Sequence, residues 1–320
     1  MTKLTAFQAR RFTPRVEAAI DDLCIAGVNK GDSILTAPQL AQAAKGSEVI
    51  FVSATETVDR DVIEALSPTL RVIATLSVGY DHIDVEAAKS NGIAVLHTPD
   101  VLSEACAETA LLLLLNACRR GYEADQMVRT GNWPGWGPTQ MLGHGLNGRC
   151  VGIYGMGRIG REIAKRCKGF DLSIHYHNRS RLTPDLEGGA VYHDTLDELM
   201  AAIDFLVICV PGGSSADVSI DADRIAMLPR HGVVVNISRG LIIDDDALVA
   251  ALQTHEIFAA GLDVFAGEPK IDPRYRTLSN IFMSPHMGSA THETRDLMGM
   301  MLLDGLVAIQ NGTRPPNQLV

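Results

Sequence analysis

Val151-Gly152-Ile153-Tyr154-Gly155-Met156-Gly157-Arg158-Ile159-Gly160 is the stretch that decides the fold. An apolar run enters it, and a segment with Ile163 and Ala164 on one face leaves it. That is the pattern of a strand, a glycine turn and a helix. The spacing is G-x-G-x-x-G. Gly155 allows the tight turn, Gly157 lets a backbone approach a pyrophosphate, and Gly160 lets the helix pack closely on the strand. The first turn of the helix then offers free N–H groups and the positive end of its dipole to phosphates. The motif alone is weak, because a glycine-rich turn without a ligand can carry the same letters. A strand before it and a helix after it make it specific.

The pattern continues on both sides. Downstream, Cys150–Tyr154, 172–176, 205–209, Val233–Asn236, 259–263 and 281–284 are near-continuous apolar runs, as expected of strands buried on both faces. Helical stretches separate most of them. Upstream, Val49–Val52, Val72–Thr75 and Ala94–Leu96 read as strands, with helices over 58–66 and Val85–Ser90. A long helix is expected over 103–120, with Ser103 as N-cap, Glu104 in the first turn and Gly121 past the end. His292–Gln310 reads as helical again. Alternating strands and helices imply an α/β protein with parallel sheets covered by helices. We therefore expect two Rossmann-like domains. Residues 101–287 form the dinucleotide-binding one; residues 1–100 with 288–320 form a flavodoxin-like, substrate-binding one. The active site is expected in the interdomain cleft, with the two connecting helices as hinges.

The strand after the glycine turn selects the cofactor. An NAD enzyme ends it with Asp or Glu on the ribose 2′-hydroxyl. Here it ends His175-Tyr176-His177-Asn178-Arg179-Ser180-Arg181. Asn178 is neutral, Arg179 and Arg181 can grip a 2′-phosphate, and Ser180 adds a hydroxyl. NADP(H) is the preferred expectation and NAD(H) a possible one. The bland alternative is that these arginines belong to a solvated loop.

In open α/β sheets, ligands bind beyond the carboxyl ends of the strands. Three polar residues follow such ends: Arg239 in Asn236-Ile237-Ser238-Arg239-Gly240, Glu268 in Phe265-Ala266-Gly267-Glu268-Pro269, and His286 in Ser284-Pro285-His286-Met287-Gly288-Ser289. Reduction of a 2-keto acid needs such a set. A bidentate cation holds the carboxylate and polarises the carbonyl beside it, which suits Arg239. A proton donor meets the developing alkoxide, which suits His286. A carboxylate orients the histidine, which suits Glu268. Each residue alone has a bland reading, as a surface charge, a cap or a structural histidine. The ordered trio downstream of a dinucleotide motif does not.

Composition bounds the remaining classes. The 320 residues are 46% hydrophobic and 21% charged, with net charge −10. This is a globular balance, and it offers no basic surface for nucleic acid or anionic membrane. No run approaches the roughly 18 apolar residues of a membrane span, and residues 1–11 lack the apolar core of a signal peptide. The six cysteines show neither C-x-x-C nor zinc spacing, so no metal site and a cytoplasmic location are expected.

At these residues the chain resembles the D-isomer-specific 2-hydroxyacid dehydrogenase family, most closely its glycerate dehydrogenase and glyoxylate/hydroxypyruvate reductase branch. The likeness runs over residues 49–294 and rests on four motifs in order: Gly155 to Gly160, Asn236 to Gly240, Asp263-Val264-Phe265-Ala266-Gly267-Glu268-Pro269, and Pro285 to Ala290. The first 45 residues match weakly. The resemblance implies that Arg239, Glu268 and His286 are the catalytic trio. It also implies that Ser77-Val78-Gly79-Tyr80-Asp81 lends the N–H groups of Val78 and Gly79 to the substrate carboxylate; an ordinary turn is the bland reading of that loop. Leu76, Ser289 and Trp136 complete the implied substrate set. The implied cofactor set adds Thr109, Arg158, Ile159, Val210, Pro211, Ile237, Ser238, Gly288 and Asp263, the last facing the nicotinamide carboxamide. Trp133-Pro134-Gly135-Trp136 resembles a loop whose second tryptophan reaches the partner's active site, which implies a homodimer; plain interface or core aromatics are the alternative.

What the resemblance implies is therefore an NADPH-preferring reductase of glyoxylate and hydroxypyruvate to D-2-hydroxy acids. Formate dehydrogenases resemble it but carry Gln where Glu268 stands. Phosphoglycerate dehydrogenases want extra cations and often a regulatory domain. A non-catalytic, corepressor-like NAD(P)-binding module is the alternative from another class, and it has no need of an intact trio.

Overall fold

The computed structural model describes residues 3–212 and 219–320. Twelve strands lie among them: β1 (Leu4–Gln8), β2 (Cys24–Val28), β3 (Val49–Val52), β4 (Val72–Thr75), β5 (Ala94–Leu96), β6 (Cys150–Tyr154), β7 (Ser173–His177), β8 (Val191–Tyr192), β9 (Phe205–Ile208), β10 (Val233–Asn236), β11 (Ala259–Leu262) and β12 (Ile281–Met283). They form two sheets, ordered β2-β1-β3-β4-β5 and β12-β11-β10-β9-β6-β7-β8. Every strand pair in both is parallel. The chain divides into two compact units, Met1–Leu102 with Ser289–Val320, and Ser103–Gly288.

In the larger unit each central strand feeds two cores. Phe205, Val207, Val233 and Val235 join the helices Ser103–Cys118 and Arg158–Lys168 on one face; Leu206, Ile208 and Val234 join the helices Leu196–Ala201 and Asp245–Gln253 on the other. This two-sided burial is the reason these strands read as unbroken apolar runs rather than as alternating ones. The smaller unit repeats the arrangement, with Ile50, Val52 and Ile73 on one face and Val49, Phe51, Val72 and Ala74 on the other. There the helix His292–Gln310 packs on Pro14–Leu23 so closely that a Cβ at Gly299 would lie 2.4 Å from Val16 Cγ2.

Several boundaries differ from the sequence reading. The helix expected over 103–120 ends at Cys118, because Arg120 takes a left-handed conformation (φ 54°) and caps a new helix, Gly121–Arg129. The strand expected at 172–176 is displaced by one residue. β1, β2 and β8 were not expected at all. β2 is a sheet edge whose burial is mixed, so it lacks an unbroken apolar run, and β8 is only two residues long.

Candidate active site

The three motif glycines behave differently when a Cβ is imagined on each. At Gly155, whose φ of 97° favours glycine, it would lie 2.7 Å from Val210 N. At Gly160 it would lie 2.6 Å from Gly155 O and 3.1 Å from Ile153 Cγ2. At Gly157 it would meet nothing within 4 Å. Two glycines are thus required by packing against the protein, whereas the third opens onto free space. It does so where the helix Arg158–Lys168 begins, and no acidic residue lies in that first turn. These features suit a pyrophosphate, so the residues present fit a dinucleotide.

Neighbouring groups brace the turn. The Met156 N–H donates to Asn178 Oδ1 at 2.7 Å, which ties the end of β7 to the loop. Cys209 Sγ donates to Gly155 O at 2.9 Å, and burial pushes the Cys209 thiol up to about 12. Ser238 Oγ donates to Val210 O, so the wall made by Val210 and the Ile237-Ser238 segment is fastened across strand ends. Pro211 and Arg158 are exposed, Ile159 is half-buried, and Thr109 is buried with its hydroxyl 3.5 Å from Gly288 O.

The segment after β7 is less uniform than its letters suggest. Arg179 and Ser180 are exposed. Arg181 is paired with Glu187, through Nε at 2.7 Å and Nη2 at 3.2 Å.

The carboxyl ends of β10, β11 and β12 are neighbours in the sheet, and they carry Arg239, Glu268 and His286 in turn. His286 Nδ1 and Glu268 Oε2 are 2.8 Å apart, and the Phe265 N–H donates to Glu268 Oε1 at 2.6 Å. Burial works to raise the Glu268 pKa, but the bonds from His286 and Phe265, with the charges of His286 and Arg239, outweigh it and hold the carboxyl below its usual range. Asn236 shapes the arginine loop from within: its Oδ1 accepts from Ser238 N at 2.9 Å and its Nδ2 donates to Arg239 O at 2.9 Å. Gly240 then seats that loop on the next. A Cβ there would fall 1.9 Å from Phe265 C and 2.0 Å from Ala266 N.

His286 is one of the few non-glycine residues in a left-handed conformation, with φ 52°. Its loop is held by Asp263, which is 1% exposed. Asp263 O accepts from His286 N at 2.8 Å; its carboxylate accepts from Ser284 Oγ at 2.6 Å and from the N–H groups of Met287 and Gly288, each at 2.8 Å. Nothing in the sequence marked Ser284, Asn236 or Gly240 as supports of this kind. The tight spacing of each to the trio is the signal that would have found them.

The other expected residues lie elsewhere. Ser289 begins the stretch that belongs to the smaller unit, and Leu76, Val78 and Gly79 lie in that unit after β4. Its loop is internally braced: Ser77 Oγ donates to Gly79 O at 2.6 Å, Thr75 Oγ1 lies 2.8 Å from Ser77 Oγ and 2.9 Å from His82 Nε2, and His97 Nδ1 lies 3.0 Å from Val78 O. The N–H groups of Val78 and Gly79 donate to no group among the described residues. Trp136 is 85% exposed. Among the described residues no three His, Cys, Asp or Glu side chains could hold a metal ion, and no helix is long and apolar enough to cross a membrane.

Comparison with known proteins extends this picture. Residues 111–288 match the family model described as the D-isomer specific 2-hydroxyacid dehydrogenase, NAD binding domain. A glycerate dehydrogenase of Hyphomicrobium methylovorum is 37% identical over 283 residues, covering 88% of each chain. A glyoxylate reductase of Thermococcus litoralis is 39% identical over 284 residues, 87% of this chain and 85% of that one. Among solved structures, an NADPH-dependent glyoxylate/hydroxypyruvate reductase of Sinorhizobium meliloti, in complex with NADP and malonate, superposes with a TM-score of 0.88 at 34% identity, covering 100% of this chain and 97% of that one.

Proposed function

The chain belongs to the D-isomer specific 2-hydroxyacid dehydrogenase family, and we propose that within it the protein is an NADPH-preferring reductase of glyoxylate and hydroxypyruvate. The observation that carries this reading is the Arg239, Glu268 and His286 set on three adjacent strand ends, with His286 and Glu268 2.8 Å apart, in the same unit as a glycine turn open at Gly157.

Arg239 holds the substrate carboxylate and polarises the carbonyl beside it. In the smaller unit the Val78 and Gly79 N–H groups are assigned to carboxylate as well; their lack of protein partners supports this. Glu268 accepts the Nδ1 proton of His286, which fixes the ring and leaves Nε2 to carry the proton given to the carbonyl oxygen. The reduced nicotinamide supplies the hydride when bound. Gly155, Gly157 and Gly160, with Arg158, Ile159, Val210, Pro211, Ile237, Ser238 and Thr109, are assigned to hold it. Arg179 and Ser180 are assigned to the 2′-phosphate, supported by the absence of a carboxylate at Asn178.

A homodimer is part of the same reading. The helix Gly121–Arg129 buries none of its residues, and Tyr122, Val128, Trp133, Trp136 and Leu142 are exposed in or after it. That much apolar surface on one segment suits a second copy of the chain. Six free cysteines support a reducing, cytoplasmic setting.

The test follows the absorbance of reduced nicotinamide with purified protein, offering glyoxylate and hydroxypyruvate with NADPH and then NADH. Oxidation of NADPH well ahead of NADH is expected. Faster NADH oxidation would remove the cofactor preference, and no oxidation with either acid would remove the substrate assignment.

A further inference from the structure

Two arginines follow Asn178, and their surroundings differ sharply. Arg181 makes a two-point ion pair with Glu187, whose side chain is 8% exposed. Glu187 Oε1 also accepts the Tyr176 hydroxyl at 2.6 Å; Tyr176 is fully buried, and its oxygen accepts the Leu182 N–H at 3.1 Å. The Arg181 guanidinium lies 5.6 Å from the Tyr192 ring centroid. The carboxylate of the pair is therefore anchored on the buried Tyr176 of β7, while the Arg181 guanidinium stays largely exposed. Arg181 first, and Tyr176 second, hold the Glu187 carboxyl below its usual range.

A guanidinium with a carboxylate on two of its nitrogens has little net field to offer a phosphate. The carboxylate also repels the phosphate directly. We propose that Glu187 is a specificity-determining residue that neutralises Arg181, so that discrimination between NADP(H) and NAD(H) falls to Arg179 and Ser180, and the preference for NADPH is held below what two cations would give. This rests on the cofactor reading above and refines it. It also separates residues that sequence alone makes equivalent: Arg179 and Arg181 are both exposed arginines in one loop, but only one has a buried partner.

The test measures dissociation constants of NADPH and NADH for the full-length protein by fluorescence titration, with thermal melting of each variant. Glu187→Gln keeps an acceptor for Tyr176 and removes the charge. It should raise the NADPH-over-NADH ratio about three- to tenfold, the range expected for one solvent-exposed cation released onto a phosphate. The gain should shrink as salt rises. Arg181→Gln with Glu187→Gln removes a neutral pair, and the ratio should stay within about twofold of wild type; where the single variant does not fold, this double variant decides alone.

A flat or lower ratio in a folded Glu187→Gln protein would overturn the inference. So would a double variant that loses NADPH selectively, since Arg181 would then grip the phosphate itself. Arg179→Gln separates the two levels. If it weakens NADPH alone while Glu187→Gln leaves the ratio flat, only the Glu187 inference fails. If it weakens both cofactors equally, the cofactor reading fails and the inference falls with it.

Discussion

Adding one methyl group at Gly240 should separate the arginine loop from the loop that carries Glu268. The glycine has an ordinary backbone conformation, so alanine there is not strained in itself. The obstacle is space. The new Cβ would sit 1.9 Å from Phe265 C, 2.0 Å from Ala266 N and 2.4 Å from Phe265 O, where ordinary contact begins at 3.4 Å. One backbone must retreat by about 1.5 Å, and neither is a flexible side-chain end that can swing aside. Arg239 precedes Gly240 by one residue, and Glu268 follows Ala266 by two. Overpacking of this kind costs about 1–3 kcal/mol, which in a protein of this size lowers Tm by roughly 2–10 °C. The catalytic effect should be larger, because a displacement of about 1 Å in a positioned group costs on the order of a hundredfold in rate. The assay is kcat/KM for glyoxylate beside a thermal melt. Gly145→Ala is the control, because a Cβ there meets nothing within 4 Å. A Gly240→Ala protein with wild-type melting and kcat/KM within about threefold of wild type would refute the reasoning, since the two loops would then not depend on this contact to set the distance between their charges.

Gly157→Ala should melt like wild type yet bind NADPH at least tenfold more weakly, on the order of the 1.4 kcal/mol lost when one pyrophosphate approach is blocked, whereas Gly160→Ala should melt early; titration and melting together separate the two. His286→Ala should lose about a hundred- to ten-thousandfold in kcat while keeping its NADPH dissociation constant, and unchanged turnover would remove His286 as the proton donor. Asp263→Asn sets an amide among three hydrogen-bond donors, so about 1–3 kcal/mol of stability should be lost, with kcat falling more than cofactor affinity; normal melting and turnover together would show that the His286 loop does not need the carboxylate. Because Glu268 is held below its ordinary 4.5, its contribution to stability is fully present above that pH and is lost as pH falls through the lowered value; the gap in melting temperature between wild type and Glu268→Gln should therefore close on acidification, and a gap that stayed constant would remove the Glu268 carboxylate as its source.

The family and the strands buried on both faces were more legible in the sequence than the supporting packing. β3, β4, β5, β6 and β10 have the bounds expected for them, because two-sided burial writes an unbroken apolar run. β1 and β2 did not stand out, since Leu4–Gln8 ends in a glutamine and Cys24–Val28 alternates at a sheet edge. Parallel strands required Arg239, Glu268 and His286 to share one sheet edge, and the order β12-β11-β10 makes their strands adjacent. That argument needs only strand direction, which the alternation of strands and helices supplies. The pairing of Arg181 with Glu187 needs a fold back over six residues into a buried tyrosine, which no local pattern encodes.

The His286 loop shows why such supports escape a sequence reading. A left-handed histidine costs on the order of 1 kcal/mol or more, so some other term must hold it there. The chain holds it with a carboxylate twenty-three positions earlier, through donors at Ser284, Met287 and Gly288. A buried carboxylate is itself costly unless fully bonded, and these donors supply the bonds. Each feature offsets the cost of the other. Either one alone would look like a defect, an unpaired buried charge or a strained backbone, and the reason for both exists only where β11 and β12 run side by side. A residue proposed to meet the substrate is singled out by the reaction chemistry its type allows. The residue that holds it in place is set by geometry, and it becomes identifiable only when the sheet has been assembled.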